Sequence, residues 1–397
     1  MTIWNPAAVR TREGLKLNPQ EIAQIQAKLP KVLNPATAQE EYYADAIFEG
    51  GGVKGIAFLG ALRCFSEVGI RWRKVAGTSA GAITASLVAA DHPIDELETI
   101  AGGVDYMNDL LHKRTSWLNL TGSPNDDLQT PLRMLFNLLL TRKLGLYSTQ
   151  PFKDWLKQSL GTLEKFSNLP AKQQEWYQNR ALKVVVSDVS RGEMLVLPDD
   201  LDTPTAGHPS RASLAQVLNL NSPLDFEVAE AVRLSMSIPF FFEPGNLAGN
   251  WIVDGGVLSN FPLWIFDLEP ISSQPKVRPR CPTFGFRLVE KEPPNRGPIQ
   301  NALGIFSNML QTMMVAKDRY NVRVNGQRRI VNIDLKEPIS ATAFNLDNAT
   351  KDKLYQWGYE SAKDFLLNTW DWNEHLRLRG FSPEDPPAQG GADVKAA

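Results

Sequence analysis

Histidine and cysteine are both scarce in this chain, with four of the first and two of the second in 397 residues. Two cysteines, Cys64 and Cys281, are too few for a disulfide framework and fit a reducing compartment. Neither Cys-x-x-Cys nor His-Glu-x-x-His occurs, so no metal ion and no other cofactor is expected. No apolar run is long enough to span a bilayer. The opening residues Met1-Thr2-Ile3-Trp4-Asn5-Pro6 lack the basic-then-apolar layout of a signal peptide. The expectation is a cytoplasmic protein that meets a membrane only peripherally. A net charge of −2 gives no bulk attraction for nucleic acid, although a local basic patch can still touch a membrane surface. Hydrophobic residues make up 43% and charged residues 22%, an ordinary globular balance over a length sufficient for one large domain or two smaller ones.

Within that composition one stretch stands apart: Val75-Ala76-Gly77-Thr78-Ser79-Ala80-Gly81-Ala82-Ile83. It reads as the end of a buried strand, a sharp turn carrying one serine, and the start of a helix. Gly77 and Gly81 flank Ser79 at the G-x-S-x-G spacing of a nucleophile elbow. A serine pushed out on so tight a turn crowds its neighbours, and side chains at the flanking positions would collide. The helix predicted over 79–90 is nearly all small residues, which lets it lie close to a sheet. Its N-terminus points free N–H groups and the positive dipole end at the place where an oxyanion would form. Taken alone, the pattern also fits a tight turn before a well-packed helix.

Upstream, the strand predicted over 43–48 runs into Glu49-Gly50-Gly51-Gly52-Val53-Lys54-Gly55 and then a helix over 56–68. Gly50, Gly52 and Gly55 match G-x-G-x-x-G, the context of a nucleotide-binding loop. That reading wants an acidic residue at the end of the next strand, and the strand at 73–76 ends instead in Gly77-Thr78-Ser79. The loop and the serine turn are then tips of neighbouring strand–helix units, converging on one crevice of a parallel sheet. Backbone N–H groups of Gly50, Gly51, Gly52, Val53 and Gly55 beside an exposed serine suit an oxyanion hole. Lys54 either adds positive charge there or caps toward solvent.

The rest of the chain reads more coarsely. Residues 1–43 are polar, with one helix over 19–29 capped by Asn18, and are expected to form an arm outside the core. The apolar run 132–140 suits a short core helix or, more sharply, a lid or acyl-chain wall. A helix follows over 150–160. Strands over 182–187 and 193–197 form a hairpin around Ser190-Arg191-Gly192. A helix over 227–237 stops before Pro239, and Phe240, Phe241 and Phe242 suit core or, less simply, an acyl pocket. Strands are expected over 281–286 and 329–333, with a Met-rich helix over 301–322 between them and a last helix over 351–367. Residues 377–397 are expected to be disordered.

Trp251-Ile252-Val253-Asp254-Gly255-Gly256-Val257 places an aspartate at the end of a short apolar strand, beside two glycines. Such an aspartate is either a turn former or a functional carboxylate. A serine nucleophile is normally paired with histidine. His92 should lie at the far end of the helix that begins at Ser79, His208 sits in a polar excursion, and His375 is close to the tail; His112 stays open. No histidine has a strand-tip motif of its own, whereas Asp254 does. The simplest catalytic pair is therefore Ser79 as nucleophile and Asp254 as its direct base.

Gly50-Gly51-Gly52-Val53-Lys54-Gly55, Gly77-Thr78-Ser79-Ala80-Gly81 and Asp254-Gly255-Gly256, in that order, closely resemble the patatin-like phospholipase family. Ser237-Ile238-Pro239-Phe240-Phe241-Phe242-Glu243-Pro244 and Leu258-Ser259-Asn260-Phe261-Pro262 are similar to the family's usual flanks. Glu49 departs from the Asp or small residue frequent before the glycines, and Asp-Gly-Gly stands where Asp-Gly-Ala is also common. The resemblance implies a three-layer α/β/α sandwich with a mostly parallel central sheet, a catalytic core over 44–266, and residues 267–376 completing or covering it. It implies a Ser–Asp dyad, a glycine-rich oxyanion loop, and hydrolysis of fatty acyl esters of lipids in transient contact with a membrane, with the need for an activating partner left open. Nucleotide binding through Gly50–Gly55 and a non-catalytic lipid-binding role on the same fold are the alternatives.

Overall fold

The structure, a computed structural model, describes residues 4–34, 38–104, 112–113, 144–170, 181–202, 212–267, 278–290 and 328–387. The chain opens with two helices, α1 (Pro6–Glu13) and α2 (Pro19–Gln26), each started by an asparagine cap followed by proline. Strands β1 (Val32–Asn34) and β2 (Gln39–Phe48) lead through the glycine loop into α3 (Ile56–Glu67). Then come β3 (Ile70–Thr78), α4 (Ala80–Ala89) and α5 (Ile94–Gly102). Short strands β4 (His112–Lys113) and β5 (Gly145–Ser148) precede α6 (Gln150–Leu160) and the hairpin β6 (Ala181–Asp188) and β7 (Glu193–Leu197). Helices α7 (Leu214–Val217) and α8 (Val228–Ser235) are followed by β8 (Phe240–Phe242), β9 (Gly245–Leu247) and β10 (Asn250–Asp254). The chain continues through β11 (Thr283–Glu290), β12 (Ile330–Leu335), α9 (Asn348–Asp364) and α10 (Trp372–Leu378).

The main sheet runs β12-β11-β2-β3-β6-β10-β9, with β1 added to β2 and β7 to β6. Its centre, β12 through β6, is parallel, and β10, β9, β7 and β1 join antiparallel. The result is the expected α/β sandwich, a mostly parallel sheet with helices on both sides. β2 shows why both faces are dry. Ala44, Ala46 and Phe48 enter the main core, whereas Ile47 points the other way and packs with Ala76, Phe261, Leu263 and Ile330. Alternation along a strand sends successive side chains to opposite faces, so a strand apolar at every position is buried on both. The second, small sheet is β4-β5-β8.

The N-terminal segment is not an arm outside the core. Trp4, Val9, Leu15, Leu17 and Ile25 are buried in the main cluster. The Trp4 indole N–H donates to Asp352 (2.8 Å), and the Leu17 amide donates to Glu67 (2.8 Å). The polar average of the segment conceals apolar residues spaced so that one face of each short helix can dock. Nor does order end at 377, since α10 reaches Leu378 and Phe381 is buried. The apolar run 132–140, the Met-rich helix expected over 301–322 and His208 lie outside the described residues.

Helices α3 and α9 touch backbone to backbone. A Cβ at Gly60 would come within 1.9 Å of the Tyr355 carbonyl oxygen, and one at Gly358 within 1.8 Å of the Ala57 oxygen. The Glu98 carboxylate on α5 ties the pair further, accepting from Arg63 of α3 (2.8 and 2.7 Å) and from the Tyr355 hydroxyl of α9. Gly358→Ala is expected to push the helices apart and cost about 3 kcal/mol, since overpacking against backbone has no flexible atom to yield. Urea unfolding of the variant checks this, and a midpoint equal to the parent's would contradict it.

Candidate active site

Three loops meet at the carboxyl edge of the parallel strands. The first is the turn between β3 and α4. Ser79 has φ of 53°, a left-handed conformation that costs a non-glycine residue energy and persists only where its surroundings enforce it. The enforcing contacts are visible. The Ser79 amide donates to Ser235 Oγ (2.9 Å), and that hydroxyl donates to the Val185 carbonyl on β6 (2.6 Å). The flanking glycines have no room for a side chain: a Cβ on Gly77 would sit 2.2 Å from the Gly81 carbonyl carbon, and one on Gly81 2.2 Å from the Phe48 oxygen. The turn is an elbow because the strand end, the helix start and the tip of β2 pack on bare backbone.

The second loop carries Asp254. Val185 of β6 is level with Thr78 of β3, and its neighbour Val186 is level with Asp254 of the antiparallel β10. Asp254 therefore arrives beside the elbow from the opposite direction. Its amide donates to the Ser237 carbonyl (2.9 Å), and Oδ1 accepts the Gly256 N–H (2.7 Å). A Cβ at Gly255 would meet the Val185 oxygen at 2.1 Å, so the Asp-Gly-Gly turn is also held by close backbone packing. Asp254 is fully buried, and Oδ2 makes no close hydrogen bond. Burial pushes the carboxyl pKa up to about 6, and the nearby Ser79 hydroxyl and the Gly256 amide pull against that rise. The Ser79 hydroxyl thus lies beside the carboxylate without closing a tight bond.

The third loop is the run of glycines. Gly50 N–H donates to the Asn260 carbonyl and Asn260 Nδ2 donates back to the Gly50 carbonyl, both at 3.0 Å. Val53 N–H donates to the Ala341 carbonyl (3.0 Å). The amides of Gly50 and Val53, both expected in an oxyanion hole, are therefore already engaged. Lys54 N–H turns back to the Gly51 carbonyl (3.3 Å), and its ammonium pairs with Glu290 (3.0 Å), so neither faces the serine as a free donor. Gly52 has φ of 57°, and a Cβ there would run into the Ala341 oxygen at 2.0 Å. Among the described residues the amides of Gly51 and Gly52 make no loop hydrogen bond of this kind.

Of the histidines, His92 lies beyond the far end of α4, as expected, between Glu96 (3.1 Å) and the Ser159 carbonyl (3.1 Å). His375 is buried and stacked on Trp372, and burial with nearby Arg379 and Arg329 holds its pKa well below the usual value. The side chain of His112 is outside the described residues. Of the three phenylalanines, Phe242 is buried in the core, Phe241 lies half-buried between Tyr147 and Phe344, and Phe240 is half-buried. Sequence reasoning missed Ser235 and Ala341, which position the elbow and the glycine loop without any motif of their own, and it quoted Asn260 only within the flank that resembles the family's. Among the described residues no group of acidic, histidine or cysteine side chains is arranged to hold a metal ion.

Residues 46–267, more than half of the chain, match the family model described as patatin-like phospholipase. The chain belongs to the patatin-like phospholipase family, and at that level it is a lipid hydrolase. Among curated relatives it is similar to the uncharacterized protein YqhO of Bacillus subtilis (strain 168), 35% identical over 82% of this chain and 98% of that one. It is also similar to the uncharacterized protein R571 of Acanthamoeba polyphaga mimivirus, 22% identical over 84% of this chain and 97% of that one. Among solved structures, VipD from Legionella pneumophila aligns with a TM-score of 0.44 at 16% identity, over 86% of this chain and 70% of its own. ExoU in its complex with SpcU from Pseudomonas aeruginosa aligns at 0.36 and 16% identity, over 83% of this chain and about half of its own, 52%.

Proposed function

We infer that the protein is a serine acyl hydrolase acting on lipid esters of the phospholipase A or lysophospholipase type, with Ser79 as nucleophile and Asp254 as base. The observation that carries this reading is the strained Ser79 elbow facing a fully buried carboxylate whose pKa is raised to about 6. Ser79 Oγ forms a bond to the ester carbonyl carbon as its proton passes to Asp254. The bond to the leaving alcohol then breaks, and Asp254 returns the proton to that alcohol. Water repeats the sequence on the acyl-serine and frees the fatty acid. The oxyanion falls to the amides of Gly51 and Gly52, aided by the Ala80 amide at the head of α4, whereas the Ala82 and Ile83 amides are spent on the Ser79 carbonyl (2.9 and 3.2 Å). A membrane surface supplies the substrate; no described helix is long and apolar enough to cross one. Val189 and Trp251, joined side by side near the crevice, are half exposed and suit such a surface. A nucleotide role for Gly50–Gly55 is weaker, because Asn260 and Ala341 already occupy two of the amides that would hold phosphate.

The test is fatty-acid release from mixed phospholipid vesicles by the purified protein, with Ser79→Ala alongside. Activity is expected in the parent and a loss of about four orders of magnitude or more in the variant. Because the carboxylate is the active form, kcat/KM should climb about tenfold per pH unit below 6 and level off above about 7. Release unaffected by Ser79→Ala, or none from any lipid, would sink the reading.

A further inference from the structure

Behind the candidate nucleophile, helices enclose an apolar channel. It begins at Gly52, Val53 and Ala80, residues that flank the Ser79 turn. Ile56, Leu59 and Leu62 face it from α3, and Ile83, Thr84 and Leu87 from α4. These are helical spacings that gather side chains on one face. The other wall comes from Leu97 and Ala101 of α5 and from Phe152 and Trp155 of α6. Among the described residues Thr84 supplies the only hydroxyl in the lining, and it is spent on the Ala80 carbonyl (3.3 Å). The cavity amounts to about 80 Å³ and opens in part to solvent.

The channel has an end. Leu62 and Leu97 also line a second hollow of different chemistry, together with Ser66, Arg71, Asp91 and His92. The two leucines, both buried, thus partition an apolar space at the head of α4 from a polar one at its foot.

We propose that the channel holds the acyl chain of the substrate and that Leu62 and Leu97 are its end stop, which makes the enzyme selective for chains of medium length. The proposal rests on Ser79 being the acyl acceptor. An acyl group on Ser79 has its carbonyl at the glycine loop and its chain free to run along α4. Beyond the Gly52 amide at its mouth and the Trp155 indole on one wall, the described lining is aliphatic or aromatic and carries no charged group, so a methylene placed there leaves water whereas a head group finds little to bond. From Ala80 to Leu87 the helix rises about 10 Å. An extended chain advances about 1.2 Å per bond, so that length takes up about eight bonds. A longer chain meets the two leucines, and beyond them the charged groups of Arg71 and Asp91.

Two measurements test this together. The first is kcat/KM for butanoyl, octanoyl, dodecanoyl and hexadecanoyl esters of 4-nitrophenol. The octanoyl ester should lead in the parent. Leu97→Ala, alone or with Leu62→Ala, should raise the hexadecanoyl-to-octanoyl ratio by about tenfold or more. Ala101→Phe, at a partly exposed position that tolerates bulk, should depress octanoyl relative to butanoyl hydrolysis. The second is calorimetric binding of octanoic and hexadecanoic acids to Ser79→Ala, with and without Ala101→Phe. Chain-length ratios that neither Leu97→Ala nor Ala101→Phe moves, in proteins with parental circular dichroism, overturn the proposal. A parent leading on the hexadecanoyl ester overturns it as well. If no ester is cleaved at all, the acyl-serine reading fails separately. The binding arm still decides the channel: octanoic acid weakened by Ala101→Phe supports a chain site, and absent or indifferent binding removes it.

Discussion

Asp254→Asn is expected to abolish hydrolysis and, at pH 8, to make the protein more stable. The buried carboxyl has a pKa near 6 in the fold against 3.8 for the unperturbed group. The fold therefore prefers the protonated form. Well below pH 3.8 the side chain is neutral in both folded and unfolded chains, and the group adds no penalty. Between 3.8 and about 6 the unfolded chain gives up the proton that the fold retains, so a penalty builds to about 3 kcal/mol at 1.36 kcal/mol per pKa unit and stays constant above 6. Asparagine keeps an oxygen that accepts the Gly256 N–H and removes the charge. The melting temperature of Asp254→Asn should exceed the parent's by several degrees at pH 8, and the two should converge as the pH falls below 3.8. Activity should fall by about four orders of magnitude, the scale seen when a member of a catalytic unit is lost. Equal melting temperatures at pH 8 would mean that the carboxyl is not the strained group described, and surviving activity would point to a different base.

The second large effect lies at the elbow. Gly77→Ala should destabilise the protein by more than about 3 kcal/mol and remove activity together with stability. The added methyl would stand 2.2 Å from the Gly81 carbonyl carbon and 2.6 Å from the Ala82 amide nitrogen. Both are backbone atoms at the start of α4, so the relief available is to lift the helix off the sheet. That shift would carry Ser79 away from Asp254 and break its amide bond to Ser235. Denaturant unfolding and ester hydrolysis measured on the same preparation check the coupling. Parental stability in Gly77→Ala would show that the turn has slack which the packing denies.

What the sequence disclosed about this site follows the range of the forces involved. Gly77 is constrained by Gly81, and Gly255 by a strand packed beside its own turn, so each leaves a local pattern. The order of three such patterns is specific enough to identify the family. Ser235 leaves no pattern: it is a serine at the end of α8, and it matters because β6 and α4 bring Val185 and Ser79 to it. Ala341 is opaque for the same reason. Its part is played by a carbonyl oxygen, which every residue has. Strand limits were drawn too short for a related cause. β2 begins at Gln39 and β3 at Ile70 because pairing carries each strand beyond its continuous apolar run. The N-terminal helices were misplaced because their contacts, such as Trp4 with Asp352, join the two ends of the chain.

The bond from Val53 to the Ala341 carbonyl bears on when the protein becomes competent. A ribosome releases this chain from its N-terminus, so Ser79 and Asp254 emerge well before the residue that fixes the glycine loop. Until Ala341 and the helix behind it are in place, the glycine loop lacks the carbonyl that holds its Val53 end, so the loop beside Ser79 takes its final shape only after more than 250 further residues have been made.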